Sequence, residues 1–174
     1  METFQLSEKL LKKIADLISA KKNTPLKKIV KDIHFADMAE IINELNEQQG
    51  IYLIKLFDSE KTSEILTELD EDVREKILKA LSVKEIADEI EELDSDDAAD
   101  ILGELSDERK EEVISEISDD NLADDLKELL SYEEDSAGGL MAKELVQANE
   151  NWSVTKCLKE IKKQGENVTR VHSI

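Results

Sequence analysis

The chain has 174 residues, enough for one domain and part of a second, and its net charge is −20. Hydrophobic residues make up 40% of it and aromatic residues only 3%, so its core must consist of leucine, isoleucine and valine. Five glycines and one proline argue against a turn-rich β architecture, and the acidic excess argues against nucleic acid as a partner.

The N-terminal segment, residues 1–32, is predicted to form basic amphipathic helices. Residues 1–31 hold eight lysines against three acidic residues. The first helix carries an apolar stripe of Leu6, Leu10, Ile14, Leu17 and Ile18. A second is predicted to begin with Thr24 as its cap and Pro25 in its first helical position. The segment either caps the following helices, with its lysines facing acidic side chains, or binds a membrane or an acidic partner.

A twelve-residue repeat runs from about residue 34 to residue 130. Each unit has two apolar positions three residues apart, which places them on one helix face. The first set is positions 42, 54, 66, 78, 90, 102, 114 and 126, and the second is 45, 57, 69, 81, 93, 105, 117 and 129. All sixteen residues are apolar.

A polar residue of the helix-capping type follows each of the first seven units. Positions 46, 58, 70, 82, 94, 106 and 118 are Asn, Asp or Ser, and Ser82 with Glu85 forms a capping-box pattern. We therefore predict eight short helices. Because such a helix buries its stripe only against neighbours, the predicted fold is mainly α, a superhelical array of short stacked helices. One long coiled coil would need a period of seven.

The C-terminal segment breaks this pattern after Ala137-Gly138-Gly139, glycines that a helix C-terminus explains. Residues 144–149 are predicted to form a strand, 154–164 a helix capped by Ser153, and 168–174 a strand. This truncated β-α-β pattern predicts that the sequence ends inside a domain of a longer chain. The predicted divisions are basic helices 1–32, the array 33–131, a linker 132–143 and a partial domain 144–174.

Catalytic chemistry is poorly supported, so the chain is not expected to be an enzyme. The two histidines, His34 and His172, lie far apart, and Cys157 falls on an apolar helix face. A carboxylate-based hydrolase would need a desolvated pocket that no pattern marks. The single cysteine fits a reducing compartment, and no apolar run approaches the ~20 residues of a membrane helix.

An acidic column occupies one register of the repeat, and Asp96 lies four residues before one of its members, Asp100. Residues at the same position of each twelve-residue unit should point in the same direction from their helices. We therefore predict an acidic edge along the superhelix. Oxygen ligands suit hard cations, and Mg²⁺ uses one or two carboxylates and several waters. Alternatively the acids cap helices and keep the array soluble. The column is Glu40, Glu64, Asp88, Asp100, Glu112 and Asp124, with Tyr52 and Lys76 as exceptions.

Four stretches carry a family resemblance: IHFADMAEIINEL (33–45), LDSDDAADILGEL (93–105), YEEDSAGGLM (132–141) and ENWSVTKCLKEIKK (150–163). In this order and spacing they resemble the cytosolic N-terminal domain of MgtE-family magnesium transporters, followed by the start of the first CBS domain. Two departures are Phe35, where the family usually has proline, and Ala142-Lys143, which replace a usual Thr-Pro.

The resemblance implies a Mg²⁺-sensing regulatory domain on the cytoplasmic side of the cell membrane. In the family, Mg²⁺ binds between the acidic N domain and the CBS pair and holds a dimer closed. The implied partners are therefore the CBS domains and transmembrane pore of the same full-length chain, in a homodimer.

The resemblance also implies site residues. Glu64, Asp96 and Asp100 match acidic N-domain positions that approach Mg²⁺. Asp88, Glu92 and Asp97 are further candidates by proximity. The alternative function is a helical-repeat scaffold for protein interaction, of the flagellar-switch or armadillo kind, in which the acids only face solvent.

Overall fold

The computed structural model describes residues 6–133, 136–144, 146 and 148–164, and within them the chain has eleven α-helices and no strand. Two helices precede the repeat, α1 (Glu8–Ser19) and α2 (Asn23–Val30), and α11 (Val154–Gln164) follows it. The repeat forms α3 (Phe35–Asn43), α4 (Glu47–Ile54), α5 (Ser59–Glu68), α6 (Glu71–Ala80), α7 (Val83–Ile90), α8 (Ser95–Gly103), α9 (Asp107–Glu116) and α10 (Asp120–Leu129). The eight short helices and the helix at 154–164 are thus confirmed.

Polar residues precede the repeat helices as predicted, but not all of them cap through their side chains: Asp70 and Ser106 make no capping hydrogen bond of this kind. Asn46 and Ser82 each form a capping box, in which Ser82 Oγ accepts from Glu85 N at 3.2 Å and Glu85 Oε2 accepts from Ser82 N at 2.7 Å. The Ser82 N–H is the main reason that the pKa of Glu85 is lowered. Asp58 caps α5 by accepting from Lys61 N at 3.2 Å.

Two predicted helix starts are wrong by one residue or more. Asp119 rather than Ser118 caps α10, because its carboxylate accepts from Asn121 N at 2.9 Å. Thr24 is not the cap of α2, which begins at Asn23 with Leu26 N donating to Lys22 O at 3.2 Å. Pro25 is tolerated inside this first turn because N–H groups there have no helical acceptor.

Each repeat helix packs on the helix two units away. The contacts join α3 to α5, α5 to α7 and α7 to α9, and likewise α4 to α6 and α8 to α10. The structural repeat is therefore a helix pair, twice the sequence period.

The two apolar positions of the repeat are not equivalent. The first is at most 1% exposed at Ile42, Ile54, Leu66, Leu78, Ile90, Leu102 and Leu126. The residue just before it is equally buried at Ile41, Leu53, Ile65, Ile77, Ile101 and Val113. The second predicted position is buried in four units and partly exposed in the other four. The buried ones are Leu69, Leu81, Ile117 and Leu129, and the partly exposed ones are Leu45, Phe57, Leu93 and Leu105. The core is thus centred on two adjacent residues in α3, α4, α5, α6 and α8.

The helices fall into two compact units. The first consists of the described residues up to Leu93 together with Glu104–Ile117, and the second of Asp94–Gly103 and the described residues from Ser118 onward. α8, α10 and α11 therefore belong to the second unit, and the other helices belong to the first.

Basic side chains close helix ends inside the first unit. Arg74 Nη1 donates to Leu66 O, in the last turn of α5, at 3.1 Å. Arg109 Nη2 donates to Leu78 O, in the last turn of α6, at 3.0 Å. Lys61 Nζ donates to Val30 O at 3.1 Å and Ile33 O at 2.9 Å, just past α2. Burial lowers the pKa of Lys61 despite nearby carboxylates.

The basic N-terminal helices pack on the array but do not neutralise it. Ile14 is completely buried and Ile18 is 6% exposed, and α1 contacts α2 and α4. All eight lysines of residues 1–31 are exposed, and none forms an ion pair with a described residue. The capping role is supported by this packing, but the ion pairs expected with it are not present in the part described.

The C-terminal segment matches its prediction in the helix alone. α11 begins after Ser153, whose Oγ accepts from Lys156 N at 3.4 Å. Of residues 144–149, those described lie in no strand, and 168–174 lie outside the described residues. Across the described helices, none has the length and apolar character needed to cross a membrane.

Gly138 is required by close packing, so the helix-end explanation is wrong for it. No described glycine has a positive φ. A Cβ at Gly138 would lie 2.6 Å from Tyr132 Cγ, well inside contact distance.

We expect Gly138→Ala to lower the free energy of unfolding by about 1 kcal/mol, because the Tyr132 ring must move. Urea denaturation measures the change. Gly103→Ala is the matched control, since a Cβ there meets nothing within 4 Å. Equal stability losses in the two variants, or a Gly138→Ala loss that persists in a Tyr132→Ala background, would contradict the steric explanation.

Candidate functional site

The acidic column forms two rows. Glu40, Glu64, Asp88 and Glu112 are exposed on α3, α5, α7 and α9, which stack in this order. Asp100 and Asp124 are exposed on α8 and α10, which stack on each other in the second unit. Within each unit the acids follow helices that stack on alternate rather than successive repeats, so the predicted edge is seen there as a row along stacked helices.

Helix α8 carries three of the predicted site residues. Asp96 and Asp97 lie in its first turn, and Asp100 follows one turn after Asp96. Asp96 is half-buried, whereas Asp97 and Asp100 are exposed. Carboxylates four residues apart share a helix face with Cβ atoms roughly 5–6 Å apart. The helix dipole partly offsets their repulsion in the first turn.

The start of α8 is held by a distant segment. Asp94 precedes the helix, and its carbonyl accepts from Ala98 N at 2.9 Å. Glu144 contacts the first helical residue, because its Oε1 accepts from Ser95 N at 3.0 Å and its Oε2 from Ser95 Oγ at 2.9 Å. This contact joins residues 49 apart, and no sequence pattern indicated it.

The same segment is bound to α10. Lys143 Nζ lies 2.8 Å from Glu128 Oε2. This hydrogen bond lowers the pKa of Glu128 and raises that of Lys143. Tyr132 Oη also donates to Glu128 at 3.4 Å. Both repeat helices of the second unit are thus connected to residues 143–144.

The remaining predicted site residues lie in the first unit. Glu64 is exposed on α5, Asp88 is exposed on α7, and Glu92 is exposed just after α7. Since α5 and α7 stack, Glu64 and Asp88 occupy equivalent places on neighbouring helices. Glu64 also borders an open groove whose other residues are Ile33, His34, Phe35, Asp58, Glu60 and Lys61.

Glu89 is an ionisable residue that the sequence reasoning missed. It stands directly before Ile90, in the repeat position that is buried and aliphatic in six other units. Its Oε2 is buried without a hydrogen-bond partner. Burial, together with the negative charges of Asp88, Glu85, Glu92 and Asp58, raises the pKa of Glu89 to about 8. Aligning the column 41, 53, 65, 77, 89, 101 and 113 would have revealed it.

The described residues do not assemble a closed metal centre. Within 6–133, 136–144, 146 and 148–164, no three Asp, Glu, His or Cys side chains form a group able to hold a metal ion. The structure brings Asp96, Asp97 and Asp100 onto one helix. Two carboxylates one turn apart with open access to water nevertheless match the partly hydrated binding that Mg²⁺ prefers.

The fold and its acidic rows define an acidic helical-repeat domain. Its family follows from a profile of the MgtE intracellular N domain, which matches residues 33–135, more than half of the chain. The chain therefore belongs to the family of MgtE intracellular N domains, as the resemblance implied. Membership in this family assigns it to the cytoplasmic side of the cell membrane.

Two solved structures are similar in fold. One, described as the soluble part of a magnesium transporter, is 20% identical with a TM-score of 0.75, and the match covers 95% of this chain and 65% of that one. The other, described as the cytosolic domain of the Mg²⁺ channel MgtE in complex with ATP, is 24% identical with a TM-score of 0.82, covering 93% and 66%. This chain thus spans about two thirds of their length. No curated protein matches it.

Proposed function

We propose that this chain is the Mg²⁺-sensing regulatory domain of a magnesium transporter or channel. In this proposal Mg²⁺ binds Glu64 in the first unit, where Asp88 and Glu92 are further candidates. It also binds Asp96 and Asp100 in the second unit, where Asp97 is a further candidate. The observation that carries the proposal is the chain's membership in the family of MgtE intracellular N domains over residues 33–135. The domain has a regulatory rather than an enzymatic role.

The electrostatics of the chain support a cation-driven mechanism. At a net charge of −20, its acidic faces repel any other acidic surface when Mg²⁺ is scarce. When Mg²⁺ is abundant, it bridges carboxylates that would otherwise repel. The cation thereby selects between two arrangements of the domain and its partner.

The partners in this proposal belong to the same full-length chain. Residues 144–174 are the beginning of the first CBS domain, and Mg²⁺ joins the acidic rows to the CBS pair. This association closes the transmembrane pore in a homodimer, and loss of Mg²⁺ releases the domain and opens the pore. The exposed positions of Glu64 and Asp100 leave them accessible to such a partner.

We expect the chain to bind Mg²⁺ weakly, with a dissociation constant of about 1 mM, because two carboxylates supply few of the ligands. Asp96→Ala/Asp100→Ala is expected to weaken binding at least about tenfold in isothermal titration calorimetry. The matched control is Asp107→Ala/Glu111→Ala, an exposed pair with the same spacing that also begins in the first turn of its helix but lies outside the acidic column. Unchanged binding in the α8 variant, or equal loss in both, would reject this site.

The interaction-scaffold alternative makes a different prediction for thermal stability. A sensor should be stabilised by millimolar MgCl₂ beyond the effect of NaCl at equal ionic strength, because a ligand of the folded state adds to its stability. A scaffold whose acids only face solvent should respond equally to both salts, since screening depends on ionic strength. Equal melting temperatures in the two salts would favour the scaffold.

A further inference from the structure

Three hydrogen bonds converge on Ser95, the first residue of α8, which is completely buried. Its N–H and its hydroxyl donate to the two carboxylate oxygens of Glu144 at 3.0 and 2.9 Å. The same hydroxyl oxygen accepts from Lys143 N at 2.8 Å. Glu144 therefore satisfies one of the N–H groups that a helix start leaves without a partner, at the positive end of the helix dipole.

The segment that supplies these groups is itself anchored. Lys143 Nζ binds Glu128 on α10 at 2.8 Å, and Val146 is only 5% exposed. Because α8 and α10 stack, Lys143 and Glu144 connect the start of α8 to the end of α10 within one compact unit. Two adjacent residues of this segment thus supply three groups: Lys143 its main-chain N–H and its ammonium group, and Glu144 its carboxylate.

This contact places a carboxylate beside the acidic turn of α8. Asp96 directly follows Ser95, so the negative charge of Glu144 adds to that of the first turn. The repulsion opposes the contact between Glu144 and Ser95, whereas the hydrogen bonds favour it. A cation on Asp96 and Asp100 reduces the repulsion and leaves the hydrogen bonds unchanged.

We propose that Ser95, Lys143 and Glu144 form a clasp that closes when a divalent cation binds the acidic face of α8 and loosens when the cation leaves. Glu144 is then a positioning residue, and Lys143 and Glu144 are the residues through which cation binding is transmitted along the chain. The coupling is reciprocal, so a closed clasp strengthens cation binding by the factor that the cation strengthens the clasp. This inference rests on the proposed Mg²⁺ function of Asp96 and Asp100.

The clasp itself is testable without metal, by amide hydrogen exchange measured by NMR on the full 174-residue chain. Glu144→Gln should speed exchange at the Ser95 amide about tenfold, because it replaces a charged acceptor by a neutral one. Glu150→Gln changes the same charge at an exposed residue of the same unit and should leave that rate unchanged. Equal rates in the two variants would overturn the clasp.

A second pair of variants isolates the main-chain donor. Lys143→Ala removes the ammonium group but keeps the N–H, whereas Lys143→Pro removes both. We expect faster exchange at Ser95 in the proline variant than in the alanine variant. Identical rates would show that the bond from Lys143 N to Ser95 Oγ does not hold the clasp.

The coupling is tested by repeating the exchange with MgCl₂ against NaCl of equal ionic strength. We expect Mg²⁺ to slow exchange at Ser95 and Lys143 several-fold in the unchanged chain, and not in Asp96→Asn/Asp100→Asn. If calorimetry shows Mg²⁺ binding that depends on Asp96 and Asp100 while exchange stays constant, the coupling fails and the proposed function stands. If Mg²⁺ does not bind α8 at all, the proposed function fails and the coupling with it.

Discussion

Replacing Arg74 with alanine is expected to lower the free energy of unfolding by about 3 kcal/mol, because it leaves a largely buried carboxylate without its cation. Arg74 Nε donates to Glu104 Oε1 at 2.8 Å, Nη2 contacts the same oxygen, and each side chain is only 17% exposed. The guanidinium also donates to Leu66 O and Thr67 O at 3.1 and 3.4 Å. Urea denaturation monitored by circular dichroism measures the loss.

A double-mutant cycle separates the ion pair from the main-chain contacts. Glu104→Gln removes the charge but keeps the shape, and Arg74→Ala/Glu104→Gln should be more stable than Arg74→Ala alone. The exposed pair Lys79–Glu75 is the control, and Lys79→Ala should cost less than about 0.5 kcal/mol. A loss at Arg74 as small as that at Lys79 would contradict the role assigned to this pair.

Glu89→Gln is expected to stabilise the chain, by an amount that grows between about pH 4.5 and pH 8. The pKa of Glu89 is about 8 when folded, against 4.5 as its ordinary value. Between these values the folded chain holds a proton that the unfolded chain has lost, so stability falls as pH rises. Above about pH 8 both states are ionised and the difference becomes constant.

The expected gain at pH 8.5 is about 2 kcal/mol. A pKa difference of this size corresponds to a larger free energy, but Glu89 keeps some solvent exposure, which screens the effect. Below pH 4.5 the gain should vanish, because both states then carry the proton. Denaturation at several pH values measures this profile.

Two further variants make the Glu89 result diagnostic. Glu40→Gln removes one exposed charge on α3 and is the surface control, with an expected change within about 0.5 kcal/mol. Glu89→Ile restores the aliphatic residue found at this place in the repeat and should stabilise the chain at least as much as glutamine. A pH-independent effect of Glu89→Gln would contradict this explanation, because it would mean that folding does not raise the pKa of Glu89.

The local features of this protein were predictable because they depend on residues close together in sequence. At Asn46, Asp58 and Ser82 the side chain accepts a hydrogen bond from the N–H group three residues further on. The sequence therefore indicates these caps through Asn, Asp or Ser at one fixed position of the repeat. The apolar period then sets the lengths of eight helices. The start of α10 was misplaced by one residue because Ser118 and Asp119 are both cap-forming types.

The acidic residues were predictable as types and positions but not as an arrangement. The register correctly identified exposed acids at Glu64, Asp88 and Asp100. It assigned them to one edge because equal register implies equal facing. Register fixes the direction of a side chain on its own helix. Which acids lie next to each other depends instead on which helices pack together.

The sequence by itself determined the repeat, most of the helix starts and the family of the chain, because periodicity, caps and motifs depend on neighbouring residues. Only the tertiary structure decided that helices stack on alternate units and that Arg74 neutralises Glu104. It also decided that Glu144 holds the start of α8. These features join residues separated by about thirty to fifty positions, where the partner is chosen by packing of the whole unit rather than by local preference.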